Sequence, residues 1–152
     1  MNVPEPRLDH LYQVVILDHN KRPRNFKKLE KPTQYSHGYN TLCGDDYQLY
    51  LMTTPDGKIE DVGFEGKGCA ISKASASMMT TFVKGKSVKE ATDLSSHFVN
   101  FMVKDAKDEK SNIGRLSIFE GVKEFPVRVK CATLIWRTLE DALKGVKERE
   151  EH

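Results

Sequence analysis

The sequence predicts an α+β protein with a small antiparallel β-sheet packed with several α-helices. Three observations carry this reading: apolar residues repeat at helical spacing near the start, at mid-chain and near the end of the chain; between the first two helices lies a pair of short β-rich runs joined by a turn; and strand and helix signals do not alternate as they would in a parallel sheet.

The first helix is marked by Leu8, Leu11, Tyr12, Val15 and Ile16, and it must stop before Pro23. Tyr47 to Thr53 and then Ile59, Val62 and Phe64 read as two antiparallel strands across the turn Pro55-Asp56-Gly57-Lys58. Beyond Gly66-Lys67-Gly68 the period becomes helical, with Ile71, Ala74, Met78 and Phe82 on one face and Gly85 at the C-cap. Ser87-Val88-Lys89-Glu90 has capping-box spacing and opens a further helix containing Phe98, Phe101 and Met102. The charged run Lys104 to Lys110 reads as a solvated loop. Pro126 opens the last helix, on which Ala132, Ile135, Leu139, Ala142 and Val146 recur, followed by a charged tail from Lys147 to His152.

The 152 residues suit a single domain over 1–152, and 38% hydrophobic with 30% charged residues suits a water-soluble globular chain. No apolar run approaches transmembrane length and no secretion signal opens the chain, so a cytoplasmic location without membrane attachment is expected. A net charge of +2 gives no argument for nucleic acid, although Lys21, Arg22, Arg24, Lys27, Lys28 and Lys31 crowd one segment. That segment reads as a solvated loop or as a docking surface for an acidic partner.

In a reducing compartment three cysteines are free thiols, metal ligands or reaction centres rather than a disulfide framework. Cys43-Gly44-Asp45 sets a thiol and a carboxylate two positions apart in a loop whose glycine lets both side chains converge. Cys69 follows Gly-Lys-Gly at a helix start, where exposed amides and the helix dipole favour thiolate. Cys131 is also near a helix start, beside Arg128 and Lys130, whose charge should ease its ionisation. Three thiolates and a carboxylate can complete a tetrahedron that accepts zinc, or an iron–sulfur cluster, and the ligand types do not choose between them. The spacing, 26 and 62 residues, is unlike a paired Cys-x-x-Cys module, so the residues alone leave open both a shared metal site and three separate small buried hydrophobes. His37, near Cys43, offers an alternative ligand to Asp45 but reads more simply as a solvated loop histidine; His10, His19, His97 and His152 carry no ligand pattern.

Cys43-Gly44-Asp45, Gly66-Lys67-Gly68-Cys69-Ala70-Ile71-Ser72 and Arg128-Val129-Lys130-Cys131-Ala132 together resemble the IscU/SufU (NifU N-terminal-like) family of iron–sulfur cluster assembly proteins, over nearly the whole chain. Three departures from Isc-type scaffolds stand out. Lys130 occupies the place of a histidine, Phe125-Pro126-Val127-Arg128 that of a Leu-Pro-Pro-Val-Lys chaperone-recognition motif, and Thr41 that of a proline. The first two, with the long gap between Cys69 and Cys131, point to the SufU branch. The resemblance implies a SufE/NifU-like fold, zinc at Cys43, Asp45, Cys69 and Cys131, a SufS-type cysteine desulfurase that presents a persulfide, and downstream iron–sulfur assembly proteins as further partners. By the same analogy Cys43 is the catalytic sulfur acceptor, Cys69, Asp45 and Cys131 hold the metal, and Arg128 and Lys130 serve as second-sphere or docking residues. Three readings follow: a zinc-dependent sulfurtransferase component, a non-enzymatic scaffold on which a cluster is assembled, and a structural zinc domain. Lys130, when charged, cannot replace the histidine ligand, which favours the first.

Overall fold

The computed structural model describes residues 6–104 and 107–151, with side chains described for 12–104 and 108–151. The elements run α1 (Pro6–Lys21), β1 (Gln34–Asn40), β2 (Asp45–Thr53), β3 (Ile59–Lys67), α2 (Ala70–Val83), α3 (Val88–Val103), a 3-10 turn (Lys107–Glu109), α4 (Lys110–Ile113), a 3-10 stretch (Gly114–Val122), α5 (Pro126–Lys144) and β4 (Glu148–Glu151). The expected α+β architecture is present.

The expected strand pair is β2 and β3, antiparallel, with Leu49 opposite Phe64 and Leu51 opposite Val62. Their turn closes through Gly57 N–H donating to the Thr54 carbonyl at 2.9 Å, with Gly57 at φ +86°. β1 joins β2 antiparallel and β4 joins β1 parallel, giving the order β3-β2-β1-β4. The sheet is therefore mixed, its antiparallel core extended by one parallel edge strand.

Neither β1 nor β4 has an apolar alternation to read. On β1 the buried positions are Ser36, Gly38 and Asn40, and a side chain at Gly38 would collide with the Thr138 hydroxyl, so small and polar residues occupy the face that α5 covers. β4 is wholly charged and is held by ion pairs: Arg149 donates to both Asp141 oxygens, at 2.6 and 3.1 Å, and to Glu151 at 3.3 Å.

The helices cover one face of the sheet. α5 lies at the centre, with Ala132, Leu134, Ile135, Trp136, Leu139 and Ala142 buried against the sheet, α2 and α3. α2 buries Ile71, Ala74, Met78 and Met79; Ile16 of α1 joins the same core, while the side chains of Leu8 and Leu11 lie outside those described. At about 25 cal/mol per Å² of apolar surface, a fully buried Leu, Phe or Met contributes roughly 1.5–3 kcal/mol, so this core outweighs the surface ion pairs, each of which contributes about 0–1 kcal/mol.

The capping box of α3 is formed: Ser87 Oγ accepts from Glu90 N–H, and Glu90 accepts from Ser87 N–H. Two boundaries differ from expectation. α5 ends at Lys144 because Gly145 takes a left-handed conformation, φ +81°, leaving Val146 outside the helix and exposed. The run from Lys104 to Lys110 is partly helical, since Glu109 is tied to His97 at 2.9 Å and Asn112 at 2.8 Å; residues 105 and 106 lie outside those described.

Candidate metal and sulfur site

The site forms where a hairpin loop, the start of α2 and the second turn of α5 meet. Asn40 and Asp45 are the last residues of β1 and the first of β2, directly paired, so residues 41–44 form a tight loop between them. Two contacts to Asn40 shape it: Gly44 N–H donates to its carbonyl at 2.9 Å, and Leu42 N–H to its side-chain Oδ1 at 3.0 Å. Gly44 sits at φ +74°, a conformation that costs other residues roughly 1–2 kcal/mol. Cys43 is thereby held half-buried, next to the exposed Leu42.

Cys69 is the N-cap of α2, as its position after Gly68 suggested. Its sulfur accepts from Ser72 N–H at 3.4 Å. Its own N–H donates to Asp45 Oδ1 at 3.0 Å, which also accepts from Ser72 Oγ at 3.1 Å, and the Tyr47 hydroxyl meets Ser72 Oγ at 2.9 Å. Gly68 makes room for this knot; a methyl group there would run into Ser72, Asp45 and Tyr47 together.

Cys131 is the sixth residue of α5 and is 2% exposed. Its thiol donates to Cys43 Sγ at 3.3 Å. Cys43 Sγ, an Asp45 carboxylate oxygen and Cys131 Sγ all lie within 4.8 Å of one another. Cys69 falls outside that trio but adjoins it through Asp45, which accepts its backbone N–H.

Thiol ionisation departs from expectation. Hydrogen bonding by the Cys131 thiol, outweighing burial, with help from Ser72, lowers Cys69 to about 6. The same hydrogen bond, together with burial and the neighbouring Asp45, raises Cys131 above the ordinary thiol range. Arg128 and Lys130 do not reverse this, because both are exposed on α5. Arg128 borders a cavity of about 400 Å³ with Tyr12, Ile71, Val122 and Phe125, and Lys130 a separate one with Lys123, Arg137 and Arg149. His37 pairs with Asp46 at 2.7 Å, a side chain on the opposite sheet face from Asp45.

The residues fit a metal ion on one direct observation: Asp45 is 1% exposed, and its Oδ2 is buried with no hydrogen-bond partner among the described residues. A buried, unpartnered carboxylate oxygen costs several kcal/mol unless a cation or donor meets it. The sulfurs of Cys43 and Cys131 lie within 4.8 Å of the same carboxylate, a donor set that suits a sulfur-seeking divalent ion. Asn40, Tyr47 and Ser72 complete the frame. Gly68 and Ser72 lay within the sequence motif around Cys69, whereas nothing in the sequence set Asn40 or Tyr47 apart.

Residues 11–132 match the NifU-like N terminal domain family. The chain is 43% identical over 143 residues to the zinc-dependent sulfurtransferase SufU of Bacillus subtilis, covering 94% of each chain. It is 40% identical over 138 residues to the iron-sulfur cluster assembly scaffold protein IscU of Streptococcus pyogenes, covering 91% of this chain and 86% of the relative. Among solved structures, an iron-sulfur cluster assembly scaffold protein for the SUF system from Fervidobacterium islandicum superposes with a TM-score of 0.79 at 39% identity, covering 85% of this chain and 93% of that one. The helix-covered sheet, the cysteine-bearing loop and these similarities lead to one conclusion: the chain belongs to the NifU-like N-terminal domain family of iron–sulfur cluster assembly proteins.

Proposed function

We propose that this protein accepts persulfide sulfur from a SufS-type cysteine desulfurase at Cys43 and hands it on for iron–sulfur cluster assembly, with zinc held by Cys43, Asp45, Cys69 and Cys131. The observation that carries the reading is the buried Asp45 carboxylate, one oxygen of which lies within 4.8 Å of the Cys43 and Cys131 sulfurs while its Oδ2 has no hydrogen-bond partner among the described residues. Zinc, when bound, keeps its cysteine ligands deprotonated near neutral pH.

The chain's own residues divide the work. Cys43 is the acceptor because its loop presents it at the surface end of the site, while Cys131 is buried and Cys69 is tied into the α2 cap. In the transfer, the Cys43 thiolate attacks the terminal sulfur of the partner's persulfide; a new S–S bond forms on Cys43, the old one breaks, and the partner's cysteine leaves as thiolate. Asp45, fixed by Cys69 N–H and Ser72 Oγ, anchors the loop's far end. Leu42, Phe125 and Val127, all more than half exposed, give the partner an apolar contact surface near the site, with Arg128 and Lys130 as its cationic flank. The reaction belongs to a reducing cytoplasm and the chain works as one domain. Among the described residues no helix is long and apolar enough to cross a membrane.

The second reading, a scaffold that carries an iron–sulfur cluster on the same residues, draws on the relatives named as scaffolds. One experiment separates the two: reconstitute the anaerobic protein with desulfurase, cysteine and iron. Zinc retention with a persulfide on Cys43 supports sulfur acceptance; displacement of zinc by a cluster transferred intact to an apo-protein supports the scaffold.

A further inference from the structure

Two polar atoms at the base of the Cys43 loop are buried without partners among the described residues: Asp45 Oδ2, an acceptor, and Asn40 Nδ2, a donor. They belong to directly paired residues, and in an antiparallel pair opposite side chains share one face of the sheet. Asp45 is accounted for by the metal reading; Asn40 is not. It is 1% exposed, and an unpaired buried amide N–H costs about 1–3 kcal/mol, so its place calls for an acceptor.

The other half of the amide fixes where it faces. Oδ1 already accepts Leu42 N–H, so the side chain is folded back under the loop that carries Cys43, with its NH₂ buried there. At present Cys43 Sγ receives the Cys131 thiol proton at 3.3 Å. An Asp45 carboxylate oxygen lies within 4.8 Å of that sulfur, and Asp45 is the direct partner of Asn40, so the Asn40 amide sits against the same cluster. Of the partnerless buried atoms, Ser36 Oγ is the other possible donor, and it lies four residues up β1, opposite Leu49 and away from the loop. Asn40 Nδ2 is therefore the one unspent side-chain donor, among the partnerless buried atoms of the described residues, at the base of the loop that carries Cys43.

We infer that Asn40 is a positioning residue whose side-chain N–H donates a hydrogen bond to the Cys43 sulfur when the site is loaded, while its Oδ1 holds the loop. A hydrogen bond to a ligating sulfur tempers its charge and fixes its orientation, and loss of such outer contacts typically costs 10–100-fold in metal affinity. The inference rests on the metal reading above and adds to it a group that nothing in the cysteine motifs specifies.

The test is NMR on wild-type protein loaded with cadmium-113 and labelled with nitrogen-15. The expected result is scalar coupling from the metal, through a sulfur, to the Asn40 side-chain N–H protons, and in Asn40→Ala about tenfold weaker metal binding with an unchanged far-UV circular dichroism spectrum. A thiolate-bound cadmium signal without coupling to Asn40 overturns the inference and leaves the metal reading standing. No thiolate-bound cadmium in the wild type overturns the metal reading and the inference with it.

Discussion

The Asp45 carboxylate accepts the backbone N–H of Cys69 at 3.0 Å, so the first residue of β2 is fastened to the cap of α2, 24 positions later in the chain. One oxygen of Asp45 ties two elements together while the other is buried without a hydrogen-bond partner among the described residues. Structural and chemical roles are thus divided between the two oxygens of a single side chain.

Asp45→Asn separates them. The amide oxygen can still accept from Cys69 and Ser72, while the buried charge and its desolvation cost disappear. The metal-free variant is expected to be more stable than metal-free wild type by about 1–3 kcal/mol, a rise of several degrees for a chain of this size, and to bind zinc more weakly. Calorimetric melting with and without chelator checks both. A variant that melts lower than wild type in chelator would contradict the division.

Thiol reactivity carries a pH signature. In metal-free protein Cys69 is lowered to about 6 by the Cys131 hydrogen bond, so it should remain the fastest thiol to alkylate with iodoacetamide down to about pH 6. The sign of the stability effect follows: between about 6 and the ordinary thiol value of 9.0 the unfolded chain holds a proton that the folded chain has released, so stability rises with pH across that window. Cys131, raised instead, reverses the trend above 9.0. Cys131→Ala removes the donor and should flatten the rise; denaturation at graded pH in chelator measures it.

How much of this was legible in the sequence depended on what kind of signal each part carries. Helical faces such as Ile71, Ala74 and Met78, and the strand pair around Leu49 and Phe64, announce themselves because burial of apolar surface sets both their period and their place. β1 was illegible because the face packed under α5 is made of Ser36, Gly38 and Asn40, chosen for close approach rather than for hydrophobicity. β4 was illegible because ion pairs hold it and its four residues are all charged. At the site, the cysteines and Asp45 could be picked out by residue type and resemblance, whereas the direction of thiol ionisation could not. That direction depends on which thiol donates to which, a property of three-dimensional adjacency.

Two glycines should differ when replaced. Gly44→Ala meets no atom within 4 Å but must hold a left-handed φ of +74°, so a loss of roughly 1–2 kcal/mol is expected with the site residues still in place. Gly68→Ala drives a methyl into Ser72, Asp45 and Tyr47, so a loss of about 1–3 kcal/mol should be accompanied by weakened metal binding. Urea unfolding together with chelator competition distinguishes the two. Equal metal affinity in both would contradict the role given to the Asp45 knot.

Removing residues 146–152 strips β4 from β1 and takes away the Glu151 carbonyl that receives Thr41 N–H at 3.3 Å, two residues before Cys43. Hydrogen exchange at residues 37–41 should accelerate while β2 and β3 stay protected. Unchanged protection at Thr41 would show that β4 does not brace the loop.

The central claim is that Cys43, Asp45, Cys69 and Cys131 act as one zinc and sulfur site served by a cysteine desulfurase. The most direct measurement is zinc content together with stimulation of a SufS-type desulfurase by anaerobically purified protein, repeated with each residue changed to alanine. About one zinc per chain, reduced in every variant, and stimulation abolished in Cys43→Ala is the predicted result. Full zinc content in the Asp45→Ala or Cys131→Ala variant, or undiminished stimulation by Cys43→Ala, would contradict it.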